Sequence, residues 1–433
     1  MPSRSSVFGP IEREVKHRVG VDVRWDDEPR TDQAIDKLLA QPLDLDTAVR
    51  IALARNQRLQ AGYEELGIAA SQIAEATVLP PLEVDLNRKF AVHGNSSETE
   101  VTVVQDLLPL LQIATRRSAA RAELEASRTR AIAATVDLAA RVEIAFYTHL
   151  AAQQDLELVQ TALEATMASA DLVERQHAAG NATDLSLVRE QEQRERMRVE
   201  ISRDEQHVAD TRAQLGALLG LRAHERTWTT TARLPDVPQT VPALDDLDRV
   251  ATRVNLEAAA LRADAQAAEA RHRYAMVRAI LPTLGLGVAT TKRDEAGWEV
   301  GPALRIGIPL FDQQQGPRAR AQAEGRRAAR ALIATQTELG SDVEAAKTRV
   351  AKAFAEARQL FDVVLPLRQR VLDETVLHYN AMNATPFELL IAKRDMVDVG
   401  RQLIDAQRRY WIAVAQAKQL RRGGRARASE NMP

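Results

Sequence analysis

LPPLEVDLNRKFAV at residues 79–92 and LPTLGLGVATTK at residues 281–292 are where this sequence changes period. In the first, Leu82, Val84, Leu86 and Phe90 alternate with Glu83, Asp85, Asn87 and Lys89. A two-residue alternation is a strand with one apolar and one wet face. His93 to Ser97 reads as a turn, and TEVTVVQDLLP (99–109) returns as a second strand closed by Pro109, giving a hairpin over 82–109. The second stretch behaves alike. Leu284, Leu286 and Val288 point one way, Asp294 to Gly297 turns, and WEVGPALRIGIPLF (298–311) comes back. Its Val300, Leu304, Ile306 and Ile308 share a face opposite Gly301, Ala303, Arg305 and Gly307, in a hairpin over 283–310. Pro302 fits a sheet position where a missing N–H does no harm.

Outward from the hairpins the pattern is helical. A helix from Leu43 to about Leu79, with Asp44 or Asp46 as N-cap, ends at Pro80-Pro81. Nothing breaks the helix from Gln112 to Ala179, which at 1.5 Å per residue is roughly 100 Å long. Gly180-Asn181 interrupts it, Thr183 or Asp184 caps the return, and a second helix runs to about Leu219. After a Pro-, Thr- and Asp-rich connector around Trp228, the order recurs. There is a helix over 245–280, the second hairpin, a helix from Gly316-Pro317 to about Tyr379, a kink at Asn383 to Pro386, and a helix to about Leu420.

The recurrence is a duplication. Pro80 and Pro282 stand 202 positions apart, and so do Gly180-Asn181-Ala182-Thr183 and Met382-Asn383-Ala384-Thr385. The expected organisation is an extended arm or linker over 1–42, a first repeat over 43–222, a connector over 223–243, a second repeat over 244–421 and a disordered tail over 422–433. Tips near 180–184 and 382–386 turn each helix pair. Val343, Ala346, Val350, Ala353, Ala357, Leu360, Val364, Leu367 and Val371 alternate three and four apart, as do Val399, Leu403, Ala406, Tyr410, Ala413, Ala417 and Leu420. That is a coiled-coil seam.

Composition agrees. The 433 residues carry 58 Lys+Arg against 60 Asp+Glu, which gives no support to a polycationic nucleic-acid binder. Aromatics are only 4 % and Ala is abundant, as in long helices packed closely on small side chains. With no cysteine, disulfides, Cys-ligated metals, thiol catalysis and N-terminal lipidation are excluded. No apolar run approaches 18 residues, so no transmembrane helix is expected. The N-terminus lacks an apolar signal core, which leaves a cytosolic start, a processed chain or a mis-assigned start open.

Chemistry-bearing motifs are missing: no GxGxxG, phosphate loop, HExxH or GxSxG, so no catalytic residue, cofactor or metal site is expected. The eight histidines, His17, His93, His149, His177, His207, His224, His272 and His378, include no i, i+4 pair. The sequons at Asn95, Asn181 and Asn383 are chance-level matches. The tips are the informative place: Gly180, Asn181, Ala182 and Thr183 in one, Asn383, Ala384, Thr385 and Pro386 in the other. Behind them Asp184, Arg189, Glu388, Lys393, Arg394 and Asp395 are candidates for inter-helix ion pairs that hold an opening shut.

In this order, and duplicated, LDLDTAVRIALARNQRLQAG (43–62), LPPLEVDL (79–86), AAGNATDLSLVREQEQ (178–193), LPTLGLGV (281–288), IGIPLFDQQQGPRARAQAE (306–324) and NAMNATPFELLIAKRD (380–395) resemble the bacterial outer membrane efflux proteins, the TolC-like channels. Within them the chain is most similar to members paired with heavy-metal exporters. The resemblance implies a mainly α homotrimer. Four strands per subunit close a 12-stranded β-barrel through outer membrane lipid, and a coiled-coil helical barrel lies in the periplasm. The implied function is a passive efflux channel whose tips meet a periplasmic adaptor served by an inner-membrane transporter. Leu82, Val84, Leu86, Phe90, Leu284, Leu286, Val288, Val300, Leu304, Ile306 and Ile308 would then face lipid, with Arg88 at the membrane edge. The alternative class is a coiled-coil structural or interaction protein of the same architecture without a pore.

Overall fold

The structure, a computed structural model, describes residues 4–25, 30–90, 97–222, 228–230, 233–293 and 297–425. Two helices come first, α1 (Arg4–Val19) and α2 (Arg30–Leu39). The first repeat is built from α3 (Leu45–Arg55), α4 (Gln57–Thr77), β1 (Glu83–Phe90), β2 (Ser97–Asp106), α5 (Leu108–Ala178) and α6 (Asp184–Leu218). The second follows with α7 (Leu247–Val254), α8 (Leu256–Ile280), β3 (Leu284–Arg293), β4 (Gly297–Ile306), α9 (Gln315–Gln359), a π-turn (Leu360–Val364), α10 (Leu365–Asn380) and α11 (Pro386–Arg421). The fold is mainly helical, with a small sheet and an internal duplication. No helix among the described residues is long and apolar enough to cross a membrane.

The chain forms two compact units, one of Met1–Ile11, Gly62–Ile132 and Leu256–Thr337, the other of Glu12–Ala61, Ala133–Asn255 and Glu338–Pro433. The first unit holds the sheet, β1-β2-β3-β4, antiparallel throughout. Its helices pack on small residues. Ala260, Ala263, Ala267, Ala270 and Ala275 of α8 are buried, as are Ala120, Leu124 and Ala126 of α5. Arg271 of α8 ties them, donating to Glu123 of α5 at 2.7 Å and to Glu324 of α9 at 3.0 Å.

In the second unit Val343, Ala346, Val350 and Ala357 of α9 share one core with Ala406, Tyr410, Ala413, Ala417 and Leu420 of α11. This is the expected seam. It does not continue as expected, however. Pro366 has no N–H to offer Asp362, so the chain widens just before it, and Leu365 N–H bonds Leu360 O in a five-residue step. One extra residue in that turn rotates the rest of the helix. Leu367 and Val371 are exposed, and Arg368 and Leu372 take the inward positions.

Five other expectations change. The arm over 1–42 is not extended, since it carries α1 and α2. Val7, Phe8, Ile11 and Val15 are buried, Ile11 three and four residues after Phe8 and Val7 and Val15 four after Ile11, a helical spacing that the surrounding polar residues and prolines obscure. The helix expected over 43–79 breaks at Asn56, whose Oδ1 accepts Leu59 N–H and whose Nδ2 donates to Leu218 O. The one expected over 245–280 breaks at the matching Asn255. Pro109 does not close a strand; it sits in the first turn of α5, where its missing N–H is harmless. Finally, β4 ends at Ile306, so Ile308 lies beyond the strand.

The turn residues 93–96 and 294–296, Asn95, connector residues 223–227 and 231–232, and tail residues 426–433 lie outside the described residues.

Candidate functional site

The sheet sorts its residues by chemistry. Cross-strand register places Val84, Val103, Val288 and Pro302 in one row, Leu86, Val101, Thr290 and Val300 in the next, and Leu286 beside Leu304. Val84, Leu86, Phe90, Leu286, Val288, Val300, Leu304 and Ile306 are all exposed on this face, Leu284 is half-buried, and Leu82 is exposed just before β1. At its turn end Arg88 lies over the Phe90 ring at 5.1 Å and Lys292 over the Trp298 ring at 5.8 Å. Arg88, Thr99, Lys292 and Trp298 form a single cross-strand row, so both cations that share the apolar face sit at its rim on aromatic partners.

The opposite face carries Glu83, Asp85, Asn87, Lys89, Glu98, Glu100, Thr102, Arg293, Glu299 and Arg305, with Gly285, Gly287, Gly301 and Ala303 between them. Glycine is required at 287: a Cβ there would stand 1.9 Å from the Val103 carbonyl oxygen. Arg305 donates to Glu83 and, at 2.6 Å, to Asp85. Sequence reasoning did not find this pair, because the partners are 220 residues apart and only the strand order brings them to one face.

The tips, in the second unit, repeat one motif. Asn181 N–H donates to Gln176 O and Asn383 N–H to His378 O, each at 2.8 Å. Both are the six-residue C-terminal closure of a helix. Thr183 and Thr385 then cap α6 and α11 with almost identical backbone, φ −82 and ψ 154 or 155. Each threonine Oγ1 accepts the N–H three residues on, from Ser186 or Glu388, at 3.2 Å.

The six charged candidates behind the tips have separate roles. Asp184 bonds His177 Nε2 at 2.6 Å across its own tip. Arg189 lies over the Phe387 ring at 5.0 Å, linking α6 to α11. Glu388 folds back as a capping box on Thr385, whose backbone N–H holds its carboxyl below the usual range. Asp395 accepts from Arg368 at 2.8 Å, joining α10 to α11. Lys393 and Arg394 have no ion-pair partner among the described residues. A further node was not expected from the sequence. Arg401 of α11 donates to Asp155 of α5 at 2.7 Å and to Asp204 of α6 at 3.2 Å, with Glu200 at 4.0 Å. Burial raises the Asp155 carboxyl above its ordinary range despite this partner.

The model of the family described as outer membrane efflux protein matches residues 48–221, which is the first repeat. Over those residues the chain is similar to the outer membrane efflux proteins. It is 25 % identical over 396 residues to the cobalt-zinc-cadmium resistance protein CzcC of Cupriavidus metallidurans, covering 88 % of each chain. Its fold matches a membrane protein from Pseudomonas aeruginosa with a TM-score of 0.72, at 20 % identity over 88 % of this chain and 93 % of that one. It also matches the outer membrane protein VceC of Vibrio cholerae, TM-score 0.71, 17 % identity, 88 % of this chain and 97 % of that one. The matched family and CzcC are described by efflux and metal resistance, and neither is described as an enzyme.

Proposed function

We propose that this protein is the passive outer membrane duct of a tripartite exporter, working as a homotrimer. The observation that carries this is the sheet: one face is exposed and apolar with cation–aromatic pairs at its rim, the other is polar and glycine-rich, and both edges are open. A bilayer tolerates strands only when every edge is paired, and three such sheets make a closed 12-stranded barrel with the apolar face in lipid and the polar face around water. The helical part then extends into the periplasm. Gly180 to Thr183 and Asn383 to Pro386 meet an adaptor protein there, through which an inner-membrane pump delivers substrate.

Asp184, Arg189, Glu388, Lys393, Arg394 and Asp395 stand behind the tips, and Arg368–Asp395 is the pair whose loosening frees α10 from α11. Likeness to a cobalt-zinc-cadmium resistance protein supports heavy-metal ions as cargo. The cargo reading is tested by growth of a host lacking the gene on Co2+, Zn2+ and Cd2+, with and without the chain.

The channel reading is tested by single-channel conductance in planar bilayers together with mass in detergent. A trimer of low, flickering conductance that rises in Asp395→Ala supports it. A folded, helical monomer without conductance overturns it in favour of a structural coiled coil.

A further inference from the structure

The open edges of the sheet are β1 and β4, and Arg305 on β4 is matched by two carboxylates on β1, Glu83 and Asp85. Within one chain these strands are three steps apart, roughly 14 Å at about 4.8 Å per step. The guanidinium bridges them over a face on which its direct partner on β3 is Gly285, with Gly287 and Ala303 in the next row. Asp106, in the same row, already accepts Leu108 N–H and Leu284 N–H through Oδ1.

We propose that this ion-pair set is the seam between copies: Arg305 of one chain closes on Glu83 and Asp85 at β1 of the next. The inference rests on the barrel reading above. Strand directions alternate along β1-β2-β3-β4, so β4 of one copy meets β1 of another in the same antiparallel sense. Neighbouring strands bring same-face side chains to about 5 Å, where arginine bonds a carboxylate directly without spanning a sheet. Glu83 and Asp85 are two residues apart on one face, so Arg305 engages both only in one register. A slip of two residues keeps the faces matched but removes one carboxylate. The seam residues therefore choose both the edge and the register. The partner is a second copy of this chain.

The chain has no cysteine, so the test has a clean background. Differently tagged full-length chains, one Arg305→Cys and the other Asp85→Cys or Glu83→Cys, are co-expressed and oxidised in the membrane fraction. Disulfides need Cα atoms within roughly 7 Å, which adjacent strands meet and strands three apart do not. The expected result is a covalent species carrying both tags, absent when either variant is expressed alone. In addition, Arg305→Glu lowers the trimer yield several-fold, and adding Glu83→Arg with Asp85→Arg recovers it. Trimers in detergent that form neither cross-link overturn the seam while leaving the barrel reading standing. A monomeric mass for the unmodified chain overturns both.

Discussion

Gly180 and Met382 hold the same place in the two tips, and both have left-handed backbone, φ 80 and φ 62. The closure that ends each helix demands this conformation at that residue. Glycine adopts it freely, whereas an L side chain meets its own carbonyl at a cost of about 1–2 kcal/mol. Met382 is also 95 % exposed, so no packing offsets the strain.

Met382→Gly is therefore expected to stabilise the second tip by several tenths of a kcal/mol, and Gly180→Met to destabilise the first by about 1 kcal/mol. Hydrogen exchange at the Asn383 and Asn181 amides reads each tip separately. Slower exchange at Asn383 in the glycine variant is the expected result.

His149 makes stability depend on pH. It is fully buried on α5, its Nδ1 3.0 Å from Thr211 Oγ1, its ring edge-on to Trp228, and its Nε2 without a hydrogen-bond partner among the described residues. Thr211 gives its own proton to Val208 O, which assigns the imidazole proton to Nδ1. Burial, with Arg212 adding to it, pushes the pKa down to about 4. Above about pH 6.5 folded and unfolded histidines are both neutral and stability is full. Below that the unfolded chain binds the proton first, so stability falls until pH reaches about 4, by roughly 3 kcal/mol. His149→Gln, which keeps a donor for Thr211, should flatten the dependence of the urea midpoint between pH 4 and 7.

The π-turn separates two stretches of one heptad pattern. Val350 lies before it and is buried, whereas Leu367 and Val371 lie after it and are exposed. In the subunit, Val350→Ala should cost about 2–3 kcal/mol through the cavity it leaves, while Leu367→Ala should cost under about 1 kcal/mol. Equal losses in thermal unfolding would show that the seam runs through unbroken.

Legibility in the sequence followed interaction range. The hairpins were readable because Val84, Leu86, Val300 and Leu304 alternate locally, and the tips because Asn-Ala-Thr recurs with its cap. The heptads were readable only to Leu360. A single proline at 366 sets the later register, and counting by three and four does not sense a missing N–H. The helices in the first 42 residues were hidden because their apolar stripe is short. Arg305 with Glu83 and Arg401 with Asp155 were not legible at all, since each pair is over 200 residues apart and exists only through the packing of elements.

Arg401 carries the last prediction. It joins α11 of the second repeat to α5 and α6 of the first through Asp155 and Asp204. Arg401→Met keeps most of the stem and removes the charge, leaving two acids facing each other, one of them already raised by burial. The node is about one-third exposed, so the expected cost is on the order of 1–2 kcal/mol, below that of a fully buried pair. Asp155→Asn in the same chain removes one of the stranded charges and should return part of the loss. A double-mutant cycle on thermal stability checks this. Strictly additive losses would mean that Arg401 holds the helices by its stem alone.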